Sequence, residues 1–145
     1  STNLPDLVSY LKWDVFDVFQ IPYSALERDH EVLLYQVARS GAGIIIRGGV
    51  ALGEPGIGKG SPQRWAKFQE AGLDELRQRG ESRSAFMVRF TLAHPHTQTN
   101  IVGTTNLEHL EENVQAVLRG PLPDEMYIEA KRRLDAVEVK PASDK

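Results

Sequence analysis

The chain of 145 residues contains no cysteine. Thiolate nucleophiles, cysteine-ligated metals and disulfides are thereby excluded, and the composition suits a reducing cytoplasm. Long hydrophobic runs are also missing. The longest, such as Gly43-Ile44-Ile45-Ile46, fall far short of the roughly 20 residues a membrane helix needs. No signal peptide opens the sequence, and no membrane partner is expected. Nor is there an excess of positive charge: 17 Lys and Arg stand against 20 Asp and Glu, a net −3. Proteins that hold nucleic acid through its phosphates carry a basic excess or stripe, so nucleic acid is not an expected partner. What remains is an ordinary globular composition, 41% hydrophobic and 26% charged, in a length that suits one core. Ser1 rather than Met comes first, and the chain reads as entering a domain in mid-course.

Three segments read as buried parallel strands: 15–21, Gly43–Arg47 and 99–103. Each is short, β-branched or aromatic, and bounded by Gly, Pro or polar residues. Helical patterns lie around them. One covers 3–12. A second covers 29–40, with Asp29 as N-cap, Leu33, Leu34, Val37 and Ala38 on one face and Gly41 as the stop. A third covers 82–94, with Phe86, Met87, Phe90 and Ala93 inward and Pro95 as terminator. Asn106 caps a fourth, whose inward stripe is Leu107, Leu110, Val114 and Val117 as far as Gly120. Pro123 starts the last, with Met126, Tyr127, Ala130 and Leu134 inward. The order α-β-α-β-α-β-α-α predicts an α/β fold with a parallel sheet and right-handed crossovers. Residues 1–139 read as one domain and 140–145 as a frayed tail.

Two segments carry possible chemistry. Six of the twelve glycines fall in the loop 48–61, which contains Gly53-Glu54-Pro55-Gly56-Ile57-Gly58-Lys59-Gly60. A phosphate-binding P-loop needs such glycines and a Lys, but also a hydroxyl where Gly60 stands; Ser61 comes one place late. A nucleotide triphosphate site and a plain flexible loop both remain open. The second segment is Gly103-Thr104-Thr105-Asn106, which runs from a strand into a helix and on to His109, Glu112 and Asn113. Free amides and hydroxyls there make an anion cradle, while Glu112 and Asn113 suit the edge of a purine. The bland alternative is that Asn106 only caps and the glutamates only face water. His94-Pro95-His96 has no third ligand near it in sequence, so the expected role of His94 is a partly positive imidazole at a helix end. His30 reads as an exposed first-turn residue.

The run Ile101-Val102-Gly103-Thr104-Thr105-Asn106-Leu107-Glu108-His109-Leu110-Glu111-Glu112-Asn113-Val114 resembles the eighth strand and cofactor helix of the aldo-keto reductases. Residues 16–24 resemble the sixth strand of that family, 43–49 its seventh, and 89–95 the helix before strand eight. The resemblance covers nearly the whole chain, in the right order. It implies part of a (β/α)8 TIM barrel, about three parallel strands with flanking helices, from a family that reduces aldehydes and ketones with NADPH. It also implies cofactor contacts. Gln20 would meet the nicotinamide carboxamide, and Arg47 would stand where many relatives place a stacking Tyr. Gly48 and Val50 would line the pyrophosphate path. Gly103, Thr104, Thr105 and His109 would surround the adenosine 2′-phosphate, with Glu112 and Asn113 at the adenine.

Two departures qualify this. Gly103 and His109 stand where many relatives have a Lys and an Arg, and a guanidinium binds phosphate better than an imidazole. NADP(H) is the implied cofactor, with NAD(H) as the other possibility. The family's catalytic Asp, Tyr, Lys and His come from early strands, whereas this chain matches from just after strand five. No residue here is therefore expected to be catalytic: Tyr23 and Lys59 have the right types but match other parts of the family. The expected partners are a nicotinamide dinucleotide and either a second copy or a chain supplying the other barrel strands. The rival class is a binding or assembly module that keeps the fold without the chemistry.

Overall fold

Short β-branched runs separated by capped amphipathic helices build the molecule. The computed structural model describes residues 3–142. Its order is α1 (Leu4–Trp13), β1 (Val18–Pro22), α2 (Glu31–Ser40), β2 (Gly43–Arg47), α3 (Pro62–Glu70), a 3₁₀ turn (Leu73–Leu76), α4 (Arg83–Ala93), β3 (Thr99–Ile101), α5 (Leu107–Leu118) and α6 (Asp124–Ala136). The strands form the expected parallel sheet, in the order β1-β2-β3. Side-chain caps start several helices, the expected one at Asn106 among them. Asn3 accepts from the Asp6 amide, Ser82 from Ala85 and Asn106 from Glu108, and Gly41 closes α2 at φ +85°. Of the expected tail, residues 143–145 lie outside the described residues, while the Ala142 amide donates to the Asp29 carbonyl at 3.3 Å.

Some boundaries differ from the sequence reading. β1 starts only at Val18, because Val15 and Phe16 stay exposed and Phe16 joins a ring cluster with Tyr10, Trp13 and Phe19. The cap of α2 is His30, not Asp29, and His30 is buried rather than exposed. Nearby, the buried Arg28 bonds Glu31 and Asp135, each at 2.7 Å, and so draws the start of α2 against α6. Segment 62–76 forms α3 and the 3₁₀ turn, with Trp65, Phe68 and Leu73 in the core. Few apolar anchors in nine residues leave little periodicity to read there.

The main core lies between the helices and one face of the sheet, around Phe19, Ile21, Ile44, Ile46, Phe68, Phe86 and Phe90. Phe86, Met87 and Phe90 are core residues, as expected. α5 is the exception. Its stripe of Leu107, Leu110, Val114 and Val117 is 80%, 45%, 47% and 52% exposed, so it faces outward, not inward. The face turned in carries Asn113 and Ala116, and Ala116 packs on Ala85 and Val88 of α4. Periodicity locates an apolar stripe but does not name its partner. Among the described residues no further strand lies beyond β3 for the stripe to cover.

His94 is likewise corrected. It is 1% exposed, with its ring against Tyr23 and Tyr35, and its Nδ1 accepts from the His96 amide at 3.2 Å. Burial first, then His96 and Lys131, push its pKa down to about 4 against the opposing pull of Glu31. It is a neutral core imidazole, not a partly positive one. The lowered folded pKa means its stability contribution is intact above pH 6.5 and is lost as the pH falls toward 4. The loss should be on the order of 3 kcal/mol. Urea denaturation across that range should show this slope in the native chain and a flatter one in His94→Phe. Parallel slopes would refute the assignment.

Candidate functional site

Parallel strands align their carboxyl ends, and in open α/β architecture ligands bind at those ends. In register, Ile45 lies between Gln20 and Thr99, and Arg47 between Pro22 and Ile101. Phe19, Ile21, Ile44 and Ile46 are buried under the helices. Strand alternation therefore places Gln20, Ile45, Arg47, Thr99 and Ile101 on the opposite, open face. Gln20 is exposed and Arg47 half-buried. Among the described residues, neither side chain has a hydrogen bond or ion pair.

Past β2 the chain turns sharply. Gly48 sits at φ +72°, and its carbonyl accepts from the Ala51 amide at 2.8 Å. At Gly49 a Cβ would stand 2.6 Å from the Asn100 side chain, so glycine lets the Asn100 carboxamide lie against this turn. Val50 is half-buried and packs against both apolar clusters. The glycine loop then folds on itself. The amides of Gly53, Ile57, Gly58 and Lys59 donate to the carbonyls of Val50, Glu54, Glu54 and Leu52. Gly60 lies so close to the Gly53 carbonyl and Trp65 that no Cβ fits. Amides spent in this way are withdrawn from a phosphate, and the P-loop alternative loses its main donors.

The turn from β3 into α5 is more open. Gly103, Thr104 and Thr105 are exposed, and a Cβ on Gly103 would meet nothing within 4 Å. Thr104 Oγ1 accepts from the Asn106 amide at 3.1 Å, and Asn106 Oδ1 from the Glu108 amide at 2.8 Å. Capping thus uses part of the cradle. His109 and Glu112 are half-buried. Asn113 is only 8% exposed, yet its carboxamide has no partner among the described residues. No Lys or Arg occurs between Arg89 and Arg119, whereas Glu108, Glu111 and Glu112 all lie there. The unpaired state of Arg47 and Asn113 had no signal in the sequence, because pairing is a tertiary property.

Tyr23 is fully buried, and its hydroxyl meets that of Tyr127 at 2.7 Å. Burial pushes both phenols well above their ordinary pKa, so the pair stays protonated inside the core. Lys59 is exposed on the glycine loop. No group of three or more His, Asp or Glu among the described residues could hold a metal ion. No described helix is long and apolar enough to cross a membrane.

A parallel sheet with helices on one face, polar groups on the other and glycine turns at the strand ends defines part of a β/α barrel. The chain belongs to the aldo/keto reductase family, whose model matches residues 7–134. Its fold is similar to aldo-keto reductase AKR11C1 from Bacillus halodurans, apo form, at TM-score 0.73 and 21% identity. The holo form of that protein gives TM-score 0.72 and 22% identity. Each comparison covers 100% of this chain and 50% of the other, so the chain spans about half the length of these solved structures. A comparison with curated proteins finds no match.

Proposed function

We propose that this chain is the nicotinamide-dinucleotide-binding portion of an aldo-keto reductase-type oxidoreductase. The observation that carries the reading is Asn113, 8% exposed on the helix that follows β3, whose carboxamide has no partner among the described residues and still reaches solvent. A carboxamide held in a mostly buried side chain, with its donor and acceptor left to solvent, is free to bond a ligand that lies against the helix. Asn113 with the half-buried Glu112 suits a purine edge, which offers both donors and acceptors. Gly103, Thr104, Thr105 and His109 line the adenosine end. Gly48 and Val50 follow the pyrophosphate, Gln20 meets the nicotinamide at the open face, and Arg47, next to Gly48 in the chain, faces the same cofactor. With no Lys or Arg from residue 90 to 118, a 2′-phosphate finds only His109 for charge. The cofactor is thus NADP(H) or NAD(H), held mainly through groups common to both.

A bound nicotinamide supplies a hydride to a carbonyl carbon. The chain's own part is to bind and orient it; the proton donor and its supporting residues come from the other strands of the barrel. Tyr23, sealed against Tyr127, does not serve as that donor. Carbonyl reduction therefore needs the complete barrel, in the cytoplasm, where a cysteine-free chain is at home. Asn113→Ala should weaken dinucleotide binding about five- to tenfold, the share of one hydrogen bond to a buried partner. Lys59→Ala should leave that binding unchanged. The opposite pattern, with Lys59 essential and Asn113 idle, would return the phosphate site to the glycine loop and overturn the proposal.

A further inference from the structure

Arg47 is the last residue of the central strand, half-buried on the open face of the sheet. Every other arginine in the described residues that is not fully exposed has a carboxylate partner. Arg28 pairs with Glu31 and Asp135, Arg77 and Arg83 with Asp74, Arg89 with Glu81, and Arg133 with Glu129. Arg47 has none. Glu27, whose Oε2 lies 3.7 Å from where a Cβ on the neighbouring Gly48 would stand, pairs instead with Arg64 at 3.0 Å. The in-register neighbours of Arg47 are Pro22 and Ile101, which offer no side-chain acceptor. No aromatic ring receives its charge either; the cation–ring contacts among the described residues belong to Arg83 and Lys131.

A guanidinium is always charged and carries five donors in a planar fork. Held half out of water without a partner, it is a site whose complement is absent from the chain. We propose that Arg47 is an oxyanion anchor, which takes a phosphate or carboxylate group of the molecule lying on the open face. Two sources have that chemistry: the pyrophosphate of the dinucleotide, or a carboxylate on the carbonyl substrate. The first follows the turn at Gly48 away from the sheet. The second would make the substrate an oxo acid, bound by its acid group beside the reacting carbon. The inference rests on the dinucleotide reading only for which molecule brings the oxyanion.

The side chain makes no bond within the fold, so Arg47→Met should leave thermal unfolding of the full chain unchanged. Inorganic pyrophosphate and oxalate are titrated into the native chain, Arg47→Met and Arg47→Lys. Arg47→Met should lose about ten- to hundredfold in affinity for at least one of the two, the worth of a charge-assisted fork. Arg47→Lys, a point charge without the fork, should recover part of it. Loss for pyrophosphate places Arg47 on the dinucleotide; loss for oxalate places it on an acidic substrate. Equal affinities in all three proteins, or no anion binding by the native chain, would overturn the proposal. A parallel titration with NADH separates the two readings: anion binding through Arg47 without NADH binding keeps the anchor and rejects the dinucleotide.

Discussion

Replacing Glu81 with Gln should cost the fold about 3–5 kcal/mol, the penalty for leaving a buried charge without its partner. Glu81 is fully buried and accepts from Arg89 Nη1 at 2.7 Å; Arg89 is itself 3% exposed. The other donors of Arg89 reach the carbonyls of Gly120 at 2.9 Å and Pro121 at 3.3 Å, and its own carbonyl accepts from Leu122. One guanidinium thus ties the segment before α4 to the turn after α5. That turn sets where α5, and with it Asn113, sits on α4. In Glu81→Gln the neutral amide keeps the shape and removes the countercharge, so Arg89 becomes an isolated buried cation. Against a total stability of about 5–15 kcal/mol, the loss is a large fraction. Urea unfolding should show a lower midpoint, and dinucleotide affinity should weaken in the variant before the transition begins. A loss below about 1 kcal/mol would mean the pair is solvated and does not hold α5 in place.

The purified chain should also associate. β1 and β3 are both edge strands. Beside β1 lie the exposed Trp13, Val15, Phe16 and Val18, and beyond β3 the exposed Ile101 and the outward stripe of α5. Monomeric proteins rarely leave such contiguous apolar patches to water. Each Leu or Val brought from full exposure to burial contributes about 1.5–3 kcal/mol, so covering either edge is strongly favoured. The cover expected here is a second copy or a unit supplying the other barrel strands. At micromolar concentration, light scattering should report at least twice the 16.2 kDa of one chain. Val114→Glu with Val117→Glu should shift the mass down and leave the helical circular dichroism intact. A compact native monomer would contradict this account of the seams.

The elements most legible in the sequence are those whose signals are local. β2 runs from Gly43 to Arg47 as expected because three isoleucines stand between glycines. α4 ends at Ala93, just ahead of the His94-Pro95 stop, with its cap at Ser82. Features set by distant residues were harder. The stripe of α5 is legible as a stripe, but its direction is set by the packing of Ala116 against α4, which the sequence does not signal. His30 and His94 sit at helix ends, where exposure is the common outcome; Arg28, Tyr23 and Tyr35 enclose that region instead. α3 leaves little signal in the sequence, because Trp65 and Phe68 anchor it with little periodicity around them. At the candidate site, the glycine turn at Gly48 and the cap at Asn106 are local and were visible. The cofactor roles of Gln20, Arg47 and Asn113 rest on resemblance, since spacing alone distinguishes none of them.

The central claim is that this chain carries a working dinucleotide surface, and calorimetric titration of the purified chain tests it most directly. NADPH and NADH are titrated in turn, with ATP as comparator. The account predicts saturable binding of at least one dinucleotide, and weak or no binding of ATP because the amides of the glycine loop are already spent. Heats no greater than dilution for both dinucleotides would contradict it and leave the chain as an assembly module that keeps the fold of its family without the cofactor.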